Sequence, residues 1–307
     1  MTKVFIDGSA GTTGLRIVER LSARTDLELL ILPDELRKDP AARADALASA
    51  AIAFLCLPDD AARESAALAA GSKVKIIDTS TAHRTDPNWV YGMPELKGQR
   101  EKIAASSRVA NPGCHASGFV ALVAPLVQAG ILSADAALSC FSLTGYSGGG
   151  KRMIAQYEAS DRSTLLDAPR QYALAQSHKH LKEMVALCGL QNAPIFCPIV
   201  GDFYNGMEVT VPLFTKDIKG NLADIQELYR TYYTSGLIHF EGVADEDGLL
   251  SASAYADRDD MGISVFGNED RILLVSRFDN LGKGASGAAI QNMNILLGLD
   301  EATGLSV

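Results

Sequence analysis

The sequence predicts an α/β protein: a doubly wound parallel sheet joined to a second domain of α+β type. Three observations carry this. Short apolar runs alternate with helical stretches through the N-terminal part of the chain, and a glycine loop, GSAGTTG, separates the first run from the first helix. From about residue 135 the alternation gives way to longer strand-like runs with helices between them. The length, 307 residues, exceeds what one hydrophobic core usually serves, so two domains are expected.

The first strand is the apolar run 3–7. Gly8, Gly11 and Gly14 follow with G-x-x-G-x-x-G spacing, and a helix is expected over 15–22, with apolar residues at 15, 17, 18 and 21. Strand, glycine turn and helix are how a dinucleotide pyrophosphate is held: glycines admit the phosphates close to the backbone, and the helix start offers N–H groups and the positive end of its dipole. Gly8, Ser9, Gly11, Thr12, Thr13 and Gly14 are the cofactor-binding candidates, against the bland alternative of a turn that binds nothing. The second strand, 27–32, leads into Pro33-Asp34-Glu35-Leu36-Arg37-Lys38. Arg37 and Lys38 suit the 2′-phosphate of NADP, which is preferred. Asp34 or Glu35 would serve NAD, and a plain surface charge pair stays open. Strands at 50–57 and 75–78, with helices at 39–49 and 59–71, complete a Rossmann-type sheet. Ligands bind beyond the C-terminal strand ends of such sheets, which puts Cys56, Pro58 and Ser80 on the nicotinamide side, Cys56 itself being a core residue.

NPGCHASG, residues 111–118, frames one thiol with unusual care. Pro112 and Gly113 make a turn, and an apolar helix over 117–129 follows. Cys114 then lies at or near a helix start, where the dipole and N–H groups stabilise a thiolate. The small residues at 116–118 are expected to leave room for a substrate. Cys140, Cys188 and Cys197 lie in apolar stretches and read as buried and inert. A nucleophilic thiol needs a base, and SHKHLKE supplies His178 and His180; two-residue spacing on an extended segment would turn both rings one way. A metal site is the weaker reading, because no third ligand has sensible spacing, so none is expected. His115 adjoins the thiol in sequence, yet neighbours on a helix diverge. For an anionic substrate the candidate cations are Arg84, Arg108 and Lys151-Arg152, and Ser147 with the triple glycine of YSGGGK could offer backbone N–H groups. A flexible glycine loop is the alternative there.

Strands are expected at 136–144, 195–200, 207–214 and 271–278, with helices at 150–160, 179–188 and 221–234. The last helix, about 285–297, returns to the first domain. The expected division is 1–112 for dinucleotide binding, completed by 285–307, and 113–284 for catalysis and oligomerisation. An open sheet face there predicts a homodimer or homotetramer. The net charge of −9 argues against a general nucleic-acid binder. Five cysteines without CxxC spacing argue against disulfides and zinc. With no secretory pattern and no apolar run of membrane length, the expectation is a cytoplasmic protein without a membrane partner.

NPGCHASG with its apolar helix resembles the cysteine signature of the N-acetyl-γ-glutamyl-phosphate reductases. YGMPEL (91–96) is similar to that family's YGLPEL, SHKHLKE to its H-R-H-x-x-E, and DNLGKGASGAAIQNMN (279–294) to its DNLGKGAAGQAVQNMN. The length and YSGGGK resemble the shorter subgroup. Two positions depart: the family usually has an aromatic where His115 stands and often a threonine where Ser117 stands, which leaves both roles open. The resemblance implies NADPH-dependent reduction of a small acyl phosphate through a thioester on Cys114. His178 carries over by motif position as the base, His180 as a substrate contact, and Asn280 joins the cofactor set. Whether His178 or His180 is the base stays open. Alternatives are another acyl-phosphate reductase, such as an aspartate-semialdehyde dehydrogenase, or an NADP-binding regulator with a structural cysteine. A cysteine hydrolase is disfavoured by the glycine loop.

Overall fold

Strand β1 (Thr2–Asp7) buries Val4, Phe5 and Ile6. It begins a series of helices α1 (Thr12–Leu21), α2 (Pro40–Ser49), α3 (Asp59–Leu68) and α4 (Gln99–Ala105), set between strands β2 (Leu27–Leu30), β3 (Ile52–Leu55), β4 (Lys75–Asp78), β5 (Val90–Tyr91) and β6 (Arg108–Ala110). The computed structural model describes residues 1–234, 236–242 and 246–307, which divide into two units: Met1–Pro112 with Ala285–Leu305, and Gly113–Gly284 with Ser306–Val307.

In the first unit the strands form a six-stranded sheet in the order β2-β1-β3-β4-β6-β5, and every pair is parallel. Helices on both faces explain why β3 is buried along its whole length and reads as a continuous apolar run. Asp39 caps α2 by accepting from the Ala42 N–H, and Pro40 fills the first helical position, where a missing N–H costs nothing. Helix α1 starts earlier than the apolar pattern implied, because Gly11 is its N-cap, so Gly14 lies inside the helix. β5, β6 and α4 escaped the sequence reading, being too short to develop a period.

The second unit opens with α5 (Cys114–Gln128), then β7 (Ser139–Gly145), α6 (Gly150–Glu158), β8 (Arg170–Gln171), α7 (His180–Cys188), β9 (Ile195–Gly201), β10 (Met207–Phe214), α8 (Leu222–Tyr232), β11 (Ile238–Gly242), β12 (Met261–Gly267) and β13 (Arg271–Phe278). They build a seven-stranded mixed sheet, order β11-β12-β13-β10-β7-β9-β8. β10 alternates strictly, with Met207, Val209, Val211 and Leu213 buried, and α5 packs on β10 and β13. The small residues of HASG serve this packing: a Cβ at Gly118 would lie 2.5 Å from Val209 Cγ2 and 2.7 Å from Ser276 Oγ. The room expected there for substrate is filled by the sheet. Pro125 inside α5 cannot bond back to Ala121 O, and Tyr233 Oη donates to that carbonyl instead at 2.8 Å.

The opposite face of this sheet carries exposed apolar side chains: Phe141 at 47%, Ile195 at 61%, Phe214 at 54% and Leu273 at 43% exposure. After β13 the chain returns to the first unit as α9 (Gly287–Leu296), all of whose residues are buried. Ala289, Ile290, Met293, Ile295 and Leu296 join the core formed by Val4, Ile6, Phe54 and Ile77.

Candidate active site

Cys114 is the first residue of α5, and Gly113, in extended conformation, is its N-cap. The Gly113 N–H donates to Glu183 Oε1 at 2.8 Å, so the final residue of the SHKHLKE segment holds the turn that presents the thiol. Behind the thiol stands Gly284, where a Cβ would meet Cys114 Cβ and Asp279 O, each at 3.0 Å. That close approach accounts for a glycine in DNLGKG. None of the five cysteines is in a disulfide. Cys140 and Cys188 are held protonated by burial, and burial pushes the Cys56 thiol up to about 12 while Thr79 partly offsets it.

The two histidines do come together, by a different geometry from the extended spacing expected. His178 precedes α7 and His180 is its first residue; the His180 N–H donates to His178 Nδ1 at 3.2 Å, and the ring centroids are 4.7 Å apart. With Nδ1 accepting, the proton of the neutral ring sits on Nε2. Burial and the nearby Lys179 keep the His178 pKa below its ordinary value, so this neutral form prevails. His115 joins them against the helical-divergence argument, its ring 5.7 Å from His178 and 5.5 Å from His180. Its Nδ1 lies 2.6 Å from Ser142 Oγ and its Nε2 2.6 Å from Tyr172 Oη. Burial, then His178 and Lys179, lower its pKa to about 3. Phe196 packs on both His115 and His178. Tyr172, Ser142 and Glu183 were not singled out from sequence. The available signal was Ser142 on the buried face of an alternating strand, a polar residue that needs a partner.

The anion candidates fare unevenly. Ser147 is buried with its Oγ accepting from Asn280 Nδ2 at 2.9 Å, and Lys151 is exposed in the first turn of α6. Arg84 lies at the C-terminal end of the first sheet, where it donates to Asn111 O at 2.9 Å and Thr79 O at 3.1 Å. Arg108 does not fit a substrate role. It begins β6, at the opposite end of the sheet, and donates to Val74 O and Ser107 O, both at 2.9 Å. Asn280 belongs to the second unit, where its Oδ1 accepts from Gly206 N–H at 2.9 Å; its amide ties the YSGGG segment to the start of β10, and nothing in that geometry points to a nucleotide.

The glycine loop fits a pyrophosphate. Gly8 has φ +85°, and a Cβ there would lie 2.3 Å from Cys56 O. A Cβ at Gly14 would lie 2.4 Å from Gly8 O. Gly11, bonded to Gly8 O at 3.0 Å, starts α1 without a side-chain cap, leaving the N–H groups of Thr12 and Thr13 for an anion, with Ser9 in the turn before them. Arg37 is half exposed and pairs with Asp34 at 3.3 Å, and Lys38 beside it is exposed, so the basic and acidic candidates of that loop sit together. Pro58 precedes α3, and Ser80 wraps on Asp78, donating its hydroxyl at 2.8 Å. Among the described residues no group of three or more His, Cys, Asp or Glu side chains is arranged to hold a metal.

These features are those of a dehydrogenase built from a nucleotide-binding sheet and a thiol-bearing α+β unit. Two family models match: semialdehyde dehydrogenase, NAD binding domain, over residues 33–106, and semialdehyde dehydrogenase, dimerisation domain, over residues 114–280. The fold is shared with aspartate semialdehyde dehydrogenase II from Vibrio cholerae at TM-score 0.74, 16% identity, and 97% and 98% coverage of the two chains. It is also shared with the NADP complex of the Candida albicans aspartate semialdehyde dehydrogenase at TM-score 0.67, 13% identity, and 97% and 99% coverage. Sequence similarity is far higher to an N-acetyl-γ-glutamyl-phosphate reductase 2 from Nostoc sp., 46% identical with 99% of each chain covered. The reductase of Brucella ovis is 47% identical over 96% of this chain and 99% of its own. The chain belongs to the family of N-acetyl-γ-glutamyl-phosphate reductases.

Proposed function

We infer that this chain reduces N-acetyl-γ-glutamyl phosphate to N-acetyl-glutamate 5-semialdehyde and phosphate, with NADP as cofactor, in arginine biosynthesis. The observation that carries the chemistry is Cys114 on the first turn of α5, beside the His115–His178–His180 cluster. The Cys114 thiolate attacks the acyl carbon, the bond from that carbon to the phosphate oxygen breaks, phosphate leaves, and a thioester forms on the enzyme. The N–H groups at the start of α5 stabilise the oxyanion of each tetrahedral species. Bound NADPH supplies hydride. His178, whose Nε2 carries the proton, hydrogen-bonds to the oxygen of the thiohemiacetal and steadies its charge, and as the C=O bond re-forms the C–S bond breaks, releasing the aldehyde and the Cys114 thiolate. His180, Ser147, Lys151 and Arg84 remain as contacts for the substrate anions. Gly8, Gly11, Gly14 and the first turn of α1 hold the pyrophosphate, and Arg37 and Lys38 the 2′-phosphate.

The protein works as a homodimer or homotetramer through the open sheet face of the second unit, consistent with the dimerisation-domain match. No helix among the described residues is long and apolar enough to cross a membrane, and the cytoplasm is the proposed compartment. The test is phosphate-dependent NADP reduction with N-acetyl-glutamate 5-semialdehyde, aspartate semialdehyde serving as control. Wild type turns over the first aldehyde. Cys114→Ser keeps cofactor binding and loses at least about a thousandfold in kcat, a typical loss for removal of a nucleophile. Equal rates for the two proteins would refute the reading.

A further inference from the structure

The pairing of β8 with β9 stops abruptly, and the way it stops bears on His178. Arg170 stands opposite Val200 and Gln171 opposite Ile199, and the Tyr172 N–H donates to Pro198 O at 3.0 Å. Pro198 has no N–H to return, so the ladder breaks there. Continued in register, the strand would set Leu174 opposite Phe196 and His178 opposite Asn192, four residues beyond Phe196. At ~3.3 Å per residue that is roughly 13 Å further along β9. The chain instead turns at Ala173 and Gln176, each with φ +53°, and the Gln176 N–H closes the turn on Ala173 O at 3.0 Å. Only four non-glycine residues among those described have positive φ; the other two are aspartates, which tolerate that conformation better than Ala or Gln. The Gln176 side chain then occupies the ladder position that Leu174 would have taken. Its Nε2 donates to Phe196 O at 2.8 Å, and the Phe196 N–H donates to its Oε1 at 2.9 Å. These are the two bonds that an antiparallel partner residue would exchange with Phe196. With a side chain in the role of backbone the path is short: two residues on, the His178 ring lies 5.2 Å from the Phe196 ring and 6.0 Å from that of Tyr172.

We propose that Gln176 is a positioning residue for His178: its amide, paired with both backbone groups of Phe196, holds a strained turn closed and so keeps the imidazole against Phe196 and Tyr172. The catalytic consequence rests on the proposed role of His178 at the thiohemiacetal. Two left-handed residues favour opening of the turn, and the two amide bonds oppose it. Gln176 is itself exposed, so its replacement leaves the core of the unit intact.

The experiment compares Gln176→Leu with wild type in two measurements. The first is steady-state turnover of N-acetyl-glutamate 5-semialdehyde. Here kcat is expected to fall roughly ten- to a hundredfold, the cost of an ångström-scale misplacement, and the loss appears in kcat rather than KM. NADPH affinity and thermal melting stay near wild type. The second is the rate at which diethyl pyrocarbonate modifies His178, located by peptide mass mapping. Released from the rings that cover it, His178 is expected to react at least about fivefold faster, since reagent access follows the population of the opened loop. If Gln176→Leu does not fold, Gln176→Glu takes its place: it keeps the acceptor for the Phe196 N–H, sets a carboxylate oxygen against the carbonyl, and must move both readouts the same way. Ala173→Gly relieves one strained residue and leaves the amide pairing alone, so it keeps wild-type kcat; a loss equal to that of Gln176→Leu would assign the placement to loop stiffness and overturn the proposal. Wild-type kcat together with an unchanged modification rate in Gln176→Leu overturns it as well. His178→Ala separates the two readings: wild-type turnover there sinks the role of His178, whereas a His178→Ala loss that Gln176→Leu does not share sinks this inference alone.

Discussion

A single imidazole, His115, makes a measurable difference to how this protein responds to acid. Its folded pKa, about 3, lies below the unfolded value near 6.5. Between these limits the unfolded chain binds the extra proton and the folded chain does not, so stability is full above pH 6.5 and is lost as pH falls. The loss approaches about 1.4 kcal/mol per pH unit. His178, shifted the same way, adds to it. We expect the melting temperature to fall steadily from pH 7 to pH 5, and His115→Phe to flatten that slope in calorimetric scans taken across the range. An equally steep slope in the variant would show that the acid sensitivity lies elsewhere. The sequence displayed Cys114 plainly, because a turn, a helix start and small neighbours are all local. It hid the surroundings of His115, because Ser142 is 27 positions away and Tyr172 57. Spacing rules describe one helix face; they say nothing about what a strand brings to meet it.

At the scale of elements, the glycine loop shows how a motif can be legible when its spacing is imposed by sterics. Gly8 needs both a left-handed φ and the absence of a Cβ, since one would collide with Cys56 O. Gly8→Ala is expected to cost roughly 1–3 kcal/mol of stability and to weaken NADPH binding at least tenfold in fluorescence titration, leaving the alkylation of Cys114 unchanged. Loss of labelling along with nucleotide binding would contradict the assignment of the loop to cofactor alone. Other family-like segments turned out to be structural mates. YGMPEL and QNMN meet inside the first unit, where Asn292 Nδ2 donates to Gly92 O at 2.8 Å and Gln291 Nε2 to Glu95 Oε1 at 2.8 Å. A Cβ at Gly92 would lie 2.4 Å from Asn292 Nδ2. Resemblance alone could not say that these residues hold loops together. Arg108 misled for a related reason: nearness to the thiol in sequence conceals that one short strand separates the two ends of a parallel sheet. Long apolar strands were readable end to end, β10 by its alternation and β13 as a continuous run; β5 and β8, two residues each, were not.

For the whole molecule, the proposed association runs through the apolar side chains on the uncovered face of the second sheet. Phe141, Ile195, Phe214 and Leu273 come from β7, β9, β10 and β13, so the patch spans the sheet centre rather than one edge. Phe141→Lys combined with Ile195→Lys is expected to shift the protein to monomer in light scattering coupled to size exclusion, because paired buried charges across a two-fold interface cost several kcal/mol. An unaltered mass would move the interface off this face. The return of α9 to the first unit carries a consequence for synthesis. Asn111 and Ala285 hydrogen-bond across 174 positions, and at about 5–20 residues per second a ribosome needs roughly 10–35 seconds to bridge that gap. Throughout that interval the nascent nucleotide-binding sheet has no α9 to cover the oily side of β1, β3 and β4. Polypeptides released before residue 285 would leave Val4, Ile6, Phe54 and Ile77 without the α9 side chains that pack on them.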